Sequence, residues 1–126
     1  MNKTILIIED ELKIRFLLRD YLKAEGFNVL EASDGDEGLF VFKNTKVDLI
    51  LLDIMMPKID GITVLETIRT VSNLPLILLT AKGQEEDKLF GYEMGADDYV
   101  TKPFSPKILI IEKSGMLFSF ILLFLW

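Results

Sequence analysis

The stretch Leu49-Ile50-Leu51-Leu52-Asp53 joins four consecutive apolar residues to one carboxylate. A continuous apolar run of this length is typical of a strand that is buried on both faces inside a parallel sheet. Asp53 then lies at the carboxyl end of the strand, where open α/β sheets carry their ligand sites. The ordinary alternative is that Asp53 only turns the chain out of the core through an Asx-turn, since a loop containing Pro57 and Gly61 follows.

The composition of the 126-residue chain fits one globular domain, because half of its residues are hydrophobic and 27% are charged. It contains neither cysteine nor histidine, which excludes disulfides, histidine catalysis and metal sites built on those residues. A net charge of −6 argues against nucleic-acid binding by this chain itself. The apolar residues 4–8 are too few for a signal peptide, so the expected compartment is the cytoplasm.

Strands and helices alternate along the sequence. The apolar run of residues 4–8 is a second buried strand that ends in acids, and further strands are predicted at 27–32, 75–80 and 98–101. Helices are predicted between them. The first carries apolar residues at helical spacing and ends near Gly26, and the others cover 34–44, 62–72, 85–94 and the residues from Pro106 onward. This alternation predicts a parallel sheet with helices on both faces. The apolar positions of the first helix are Ile14, Leu17, Leu18, Tyr21 and Leu22.

The carboxyl ends of parallel strands meet at one edge, which would carry Glu9, Asp10, Asp53, Thr80 and Lys102. Each has an ordinary alternative, such as an N-cap for Asp10, a loop hydrogen bond for Thr80 and a solvated ammonium for Lys102. Two carboxylates about 4 Å apart repel by roughly 4 kcal/mol at an effective dielectric near 20, so a cation would stabilise the cluster. Oxygen ligands favour Mg²⁺, Mn²⁺ or Ca²⁺, and Mg²⁺ suits a site that keeps waters. Such an edge would stabilise phosphoryl oxygens.

Four stretches together resemble the receiver domain of two-component response regulators, and they fall within residues 4–107. The last stretch, continuing into Ser105-Pro106, is most similar to the winged-helix transcription-factor class (the OmpR/PhoB class). The resemblance implies a flavodoxin-like, CheY-like (βα)5 fold, a doubly wound parallel five-stranded sheet in the order 2-1-3-4-5. The stretches are Ile5 to Glu11, Leu51 to Pro57 with Asp60-Gly61, Leu79 to Ala81, and Gly95 to Phe104.

The resemblance also implies the chemistry of the acidic edge. Asp53 would accept a phosphoryl group from a phosphohistidine on a sensor histidine kinase. Asp10 and Asp53 would bind Mg²⁺ directly and Glu9 through water, while the backbone carbonyl of Met55 completes the protein ligands. The chain would be a signalling phosphoacceptor and not an enzyme, although it assists its own Mg²⁺-dependent phosphorylation and dephosphorylation.

The implied switch uses three further residues. Thr80 and Lys102 would bind the phosphoryl oxygens, with a cis Lys102–Pro103 peptide aiming the lysine. Tyr99 would turn inward as Thr80 moves, although the residue pattern is equally typical of a half-buried strand position. Phosphorylation then shifts the population between two conformers and controls dimerisation through helix four, strand five and helix five. The expected output is transcription regulation.

Other classes of protein that could carry such an acidic edge fit the sequence less well. A haloacid-dehalogenase-type phosphatase needs a second Asp where Met55 stands, and a flavin carrier needs a hydroxyl- and Gly-rich loop where Glu9-Asp10-Glu11 stands. A P-loop enzyme is excluded because no Gly-rich Lys-Ser/Thr loop is present. A receiver-like interaction module that works without phosphorylation stays open as the alternative.

The end of the sequence departs from the family pattern, so we divide the chain into a receiver domain (1–113) and an atypical apolar tail (114–126). The tail is shorter than the roughly 17–25 residues that span a bilayer, and it lacks the polar stripe of an amphipathic surface helix. A regulator truncated or frame-shifted before its DNA-binding domain is the favoured explanation, ahead of packing into a partner or swapped dimer and ahead of membrane contact. We expect self-association through this end. The departure argues against assuming the usual dimer contacts of helix five.

Overall fold

The computed structural model describes residues 3–56, 58–81, 95–96 and 98–102. Its strands pair in parallel in the order β2-β1-β3-β4-β5, which confirms the predicted sheet. The strands are β1 (Thr4–Ile8), β2 (Asn28–Ala32), β3 (Leu49–Asp53), β4 (Leu76–Ala81) and β5 (Asp98–Lys102). The helices are α1 (Leu12–Ala24), α2 (Gly35–Asn44) and α3 (Gly61–Arg69).

The core forms two layers, one on each face of the sheet, because side chains alternate along each strand. One face carries Leu49 and Leu51 of β3 and packs against Leu18 and Leu22 of α1. The opposite face carries Leu52 and packs against α3. Every residue of β3 is buried, as its uninterrupted apolar run predicted. Since burying one such side chain is worth about 1.5–3 kcal/mol, this central strand fixes the position of whatever follows it.

The helices present narrower apolar stripes than the sequence pattern suggested. Leu18 and Leu22 are buried in α1, whereas Leu17, which the helical spacing grouped with them, is 42% exposed. In α2, Phe40 is 67% exposed. Successive helical residues are about 100° apart, so a residue adjacent to a buried position can lie on the flank of the stripe and face solvent.

Several predictions concern residues outside the described part of the chain. They are the helix at 85–94, the helix from Pro106, the cis Lys102–Pro103 peptide, the tail at 114–126, and the dimer surface apart from β5. In the part that is described, no helix has the length and apolar character needed to cross a membrane.

Asp34 caps α2 and connects it to the loop after β3. Its carboxylate accepts a hydrogen bond from the backbone N–H of Glu37 at 2.8 Å, and the Glu37 carboxylate accepts one from the N–H of Ser33, the residue before the N-cap, at 2.7 Å. The pair resembles a capping box shifted by one residue. The Lys58 ammonium lies 3.5 Å from the second oxygen of Asp34. The Glu37 N–H, followed by the charge of Lys58, lowers the pKa of Asp34 below its usual 3.8.

We expect Asp34→Asn to destabilise the fold in a pH-dependent manner. Asparagine retains the cap acceptor but loses the charge that interacts with Lys58 and the helix N-terminus. Because the pKa is lowered in the folded state, the contribution of the charge is complete above 3.8 and disappears as pH falls through the lower folded-state value. Thermal melts should show a higher Tm for the wild type than for Asp34→Asn at about pH 6, and the difference should shrink as the pH is lowered below 3.8. A difference in Tm between the two proteins that stays constant with pH would contradict this explanation.

Candidate functional site

Glu9 is the first residue beyond β1, and it is fully buried. Its backbone N–H donates to the carbonyl of Ala32 at 3.0 Å, so the pairing of β1 with β2 extends one residue past the strand. Its side chain accepts a hydrogen bond from the N–H of Glu11 at 3.0 Å. The buried strand therefore delivers this acid to the carboxyl edge of the sheet in a fixed orientation.

Asp53 is the last residue of β3 and is 2% exposed. One carboxylate oxygen accepts a hydrogen bond from the N–H of Met55 at 3.1 Å, which is the contact expected of an Asx-turn. The next residue, Ile54, donates its N–H to the carbonyl of Leu79 at 3.1 Å and accepts from the N–H of Gly61 at 2.9 Å. Asp53 therefore does form the Asx-turn considered as its ordinary alternative, and this hydrogen bond holds its carboxylate at the edge of the sheet.

The acids from β1 and β3 meet because these two strands are neighbours in the sheet. Glu9, Asp10 and Asp53 each present a carboxylate oxygen, and the three oxygens lie within 4.8 Å of one another. Asp10 is exposed. Since α1 has Glu11 as its N-cap, Asp10 lies outside the cap position that was its ordinary alternative. The predicted convergence of these three acids is what the structure shows.

The donor set of this acidic cluster suits a hard divalent cation. All three ligands are carboxylate oxygens, which Mg²⁺ and Ca²⁺ prefer. With Mg–O distances of 2.0–2.1 Å, two oxygens on one ion lie roughly 3–4 Å apart, so small side-chain rotations would close the cluster around an ion. The burial of Glu9 and Asp53 adds to the fit, because two buried carboxylates in proximity are costly without a compensating positive charge.

The backbone places Met55, Thr80 and Lys102 at or near the same edge and Tyr99 earlier on β5. In the register of β3 and β4, Asp53 pairs with Leu79, so Thr80 follows one residue beyond. Lys102 ends β5, where it pairs with Ala81. Tyr99 pairs with Leu78, three residues before Lys102 on β5. Met55 follows β3 and is 57% exposed. The roles assigned to these four residues stay predictions.

Sequence reasoning did not identify Arg15 as part of this edge. In the sequence it stands among the apolar positions of α1 as an ordinary charged residue, but in the structure its side chain is 12% exposed and its guanidinium donates to the backbone carbonyl of Glu9 at 2.8 Å. Helical spacing carries no signal for this contact, because the contact depends on how α1 packs across the end of β1.

Comparison with known proteins agrees with the geometry. The family profile described as "Response regulator receiver domain" matches residues 5–112. Among curated proteins, the transcriptional regulatory protein PhoP for alkaline phosphatase synthesis from Bacillus subtilis is 50% identical over 108 residues, covering 85% of this chain and 45% of that protein. ResD from the same organism, a transcriptional regulatory protein, is 46% identical over 117 residues, covering 92% of this chain and 49% of that protein. This chain thus spans about half the length of the curated relatives it matches.

Solved structures show the same fold over most of the chain. A response-regulator receiver domain from Francisella superposes with a TM-score of 0.81 at 37% identity, covering 94% of this chain and 98% of that one. The chemotaxis protein CheY4 from Vibrio cholerae gives a TM-score of 0.81 at 29% identity, covering 87% and 94%. The predicted resemblance to receiver domains of transcriptional regulators and the predicted CheY-like fold are confirmed. With its family profile matched over residues 5–112, the chain belongs to the response regulator receiver domain family.

Proposed function

We propose that this chain is a phosphoacceptor of a two-component system in which Asp53 takes a phosphoryl group from a phosphohistidine of a sensor histidine kinase. The observation that carries the proposal is the convergence of Glu9, Asp10 and Asp53 within 4.8 Å at the carboxyl edge of the sheet. In this function the chain acts as a signalling protein and not as an enzyme. By analogy with the transcriptional regulators it resembles, the output would be transcription regulation.

The acidic cluster would hold Mg²⁺ with Asp10 and Asp53 as direct ligands, Glu9 through water and the backbone carbonyl of Met55. When bound, the ion supplies positive charge that offsets the carboxylates and the incoming phosphoryl oxygens. An oxygen of the Asp53 carboxylate attacks phosphorus, the bond from phosphorus to the histidine nitrogen breaks, and the nitrogen retains that electron pair. The product is an acyl phosphate on Asp53 and a free imidazole on the kinase.

The other residues of the edge would act on the transferred group. We assign to Lys102 and Thr80 the contacts to the phosphoryl oxygens, because an ammonium and a hydroxyl are donors. Thr80 is the penultimate residue of β4, which pairs with β3, and Lys102 ends β5, which pairs with β4. The new charge and acceptor oxygens favour the conformer in which these donors close on them. Tyr99, three residues before Lys102, is assigned the switch position.

Phosphorylation by a small-molecule donor tests the proposal without requiring the kinase. We expect incubation with acetyl phosphate and Mg²⁺ to add the mass of one phosphoryl group to the intact chain, and excess EDTA to prevent the addition. Intact-mass spectrometry reads both results, with circular dichroism confirming that the chain is folded. A folded chain that binds Mg²⁺ and never gains the mass would overturn the phosphoacceptor function and favour an interaction module that works without phosphorylation.

A further inference from the structure

The contact between Arg15 and the acidic edge carries an inference beyond the family's phosphoacceptor set. Arg15 projects from the start of α1, and its guanidinium contacts both the residue that follows β1 and a residue of β2. It donates to the backbone carbonyl of Glu9 at 2.8 Å, and its Nε lies 3.1 Å from a carboxylate oxygen of Glu31 on β2. The Arg15 side chain is 12% exposed, so it is largely shielded from solvent.

This contact fixes the peptide group that joins the two adjacent acids of the cluster. The carbonyl of Glu9 belongs to the Glu9–Asp10 peptide unit, which is rigid and planar. The N–H of Glu9 is held separately by the carbonyl of Ala32 on β2. The backbone on both sides of Glu9 is therefore held, by β2 on one side and by Arg15 on the other.

An arginine suits this position for a geometric reason. Its planar guanidinium presents several N–H donors in fixed directions, so one side chain reaches the Glu9 carbonyl and the Glu31 carboxylate together. A lysine ammonium carries a similar charge but is a compact point charge that lacks this planar fork. The Glu31 carboxylate has a second neighbour, since Nη1 of Arg19 lies 3.5 Å from its other oxygen.

We infer that Arg15 is a positioning residue for metal binding, orienting the Glu9–Asp10 peptide so that the acidic cluster is arranged before an ion arrives. This inference rests on the proposed function. It is distinct from a role in stability, which the partly buried Arg15–Glu31 pair (side chains 12% and 27% exposed) can also have and which a thermal melt without metal reports. Groups that orient metal ligands through hydrogen bonds instead change metal affinity, commonly by 10–100-fold.

Arg19 provides a matched control on the same helix. It also contacts Glu31, donates to Asp20 at 2.9 Å and lies over the ring of Phe16 at 4.3 Å. Its hydrogen bond to Asp20 is the main cause that raises the pKa of its guanidinium. Its contacts to Phe16 and Asp20 lie along α1 and its contact to Glu31 reaches β2, whereas the hydrogen bond to the Glu9 carbonyl comes from Arg15. Arg15→Gln and Arg19→Gln therefore each remove one positive charge from the same helix, but only Arg15→Gln removes the hydrogen bond to the Glu9 carbonyl at the acidic edge.

The test is a calorimetric titration of MgCl₂ into the full chain and its variants, with thermal melts in EDTA as the measure of stability without metal. We expect the Kd for Mg²⁺ to rise about 10-fold in Arg15→Gln, by a smaller factor in Arg15→Lys and not at all in Arg19→Gln. If Arg15→Gln does not fold, the Kd of Arg15→Lys for Mg²⁺ decides the test.

Two results would overturn the inference and leave the proposed function standing. One is an unchanged Kd in both Arg15 variants, and the other is an equal loss of affinity in Arg19→Gln. A folded wild-type chain that binds no Mg²⁺ would overturn the proposed function and this inference with it.

Discussion

Asp53→Asn will abolish phosphorylation by acetyl phosphate and Mg²⁺, leaving no detectable mass addition where the wild type gains one phosphoryl group. The amide keeps the size and the Asx-turn acceptor of the carboxylate, so β3 and its loop are retained. What it loses is the anionic oxygen that attacks phosphorus. The measurement is intact-mass spectrometry over a time course, with both proteins shown to be folded by circular dichroism.

The same substitution should raise the melting temperature in EDTA. Asp53 is 2% exposed and its carboxylate lies within 4.8 Å of two others. At an effective dielectric near 20, one such pair repels by roughly 3 kcal/mol, and the neutral amide removes this repulsion. We therefore expect a gain of several degrees without metal and a smaller stabilisation by Mg²⁺ than in the wild type.

Asp48→Asn is the matched control for both readouts. Asp48 precedes β3 at the opposite edge of the sheet, where its carboxylate accepts a hydrogen bond from the N–H of Thr4 at 2.8 Å. The variant carries the same chemical change far from the acidic cluster, so it should be phosphorylated like the wild type and should not gain stability. Phosphorylation of Asp53→Asn at the wild-type rate would show that another residue is the acceptor.

Gly61→Ala will be strongly destabilising, with a cost of about 3 kcal/mol or more and a fall in Tm of about 10 °C or more. Gly61 begins α3 directly against the end of β3, and a Cβ there would contact the carbonyl oxygen of Asp53 and lie 2.6 Å from the Cα of Ile54. The first atom belongs to the last residue of β3 and the second to the buried residue that follows it, so neither moves without shifting the end of β3. Differential scanning calorimetry gives the change in Tm.

Thr63→Ala is the control for the Gly61 variant, because it places the same residue two positions along in the first turn of α3. Thr63 is exposed, and the hydrogen bond that α3 receives at its N-terminus comes from the backbone N–H of Thr63 to the Asp60 side chain. Alanine keeps that N–H, so the change should lie within about 0.5 kcal/mol of zero. If Gly61→Ala had the same Tm as Thr63→Ala, the close packing of α3 against the end of β3 would be contradicted.

The sheet and the three acids of the edge were predictable because both follow from strand ends. An apolar run that stops at a carboxylate, as at Leu52 and Asp53, gives both the strand and the position of its last side chain. Parallel pairing then brings Glu9 beside Asp53 without further information. The family resemblance added the neighbouring order of β1 and β3, which alternation of strands and helices alone does not determine.

The side-chain contacts made by Arg15 to Glu9 and by Lys58 to Asp34 were not predictable in this way. Arg15 and Lys58 reach their partners across elements, and each lies in a stretch where a charged residue is ordinary. The exposure of Leu17 was missed for the same reason, since helical spacing defines a stripe but not its edges. These features depend on the rotation of each helix and the path of each loop over the sheet, which packing decides after the strand pattern is satisfied.

The adjacency of β1 and β3 has a kinetic consequence. These strands pair in register although α1, β2 and α2 lie between them in the chain, so the ion site is absent until a long segment has closed. Contacts of long sequence separation form slowly, because the entropy of closing the intervening segment is lost before the contact is made. An ion that binds only the completed register adds stability after the folding barrier has been crossed. Mg²⁺ would then lengthen the lifetime of the folded chain while leaving the rate at which it folds almost unchanged.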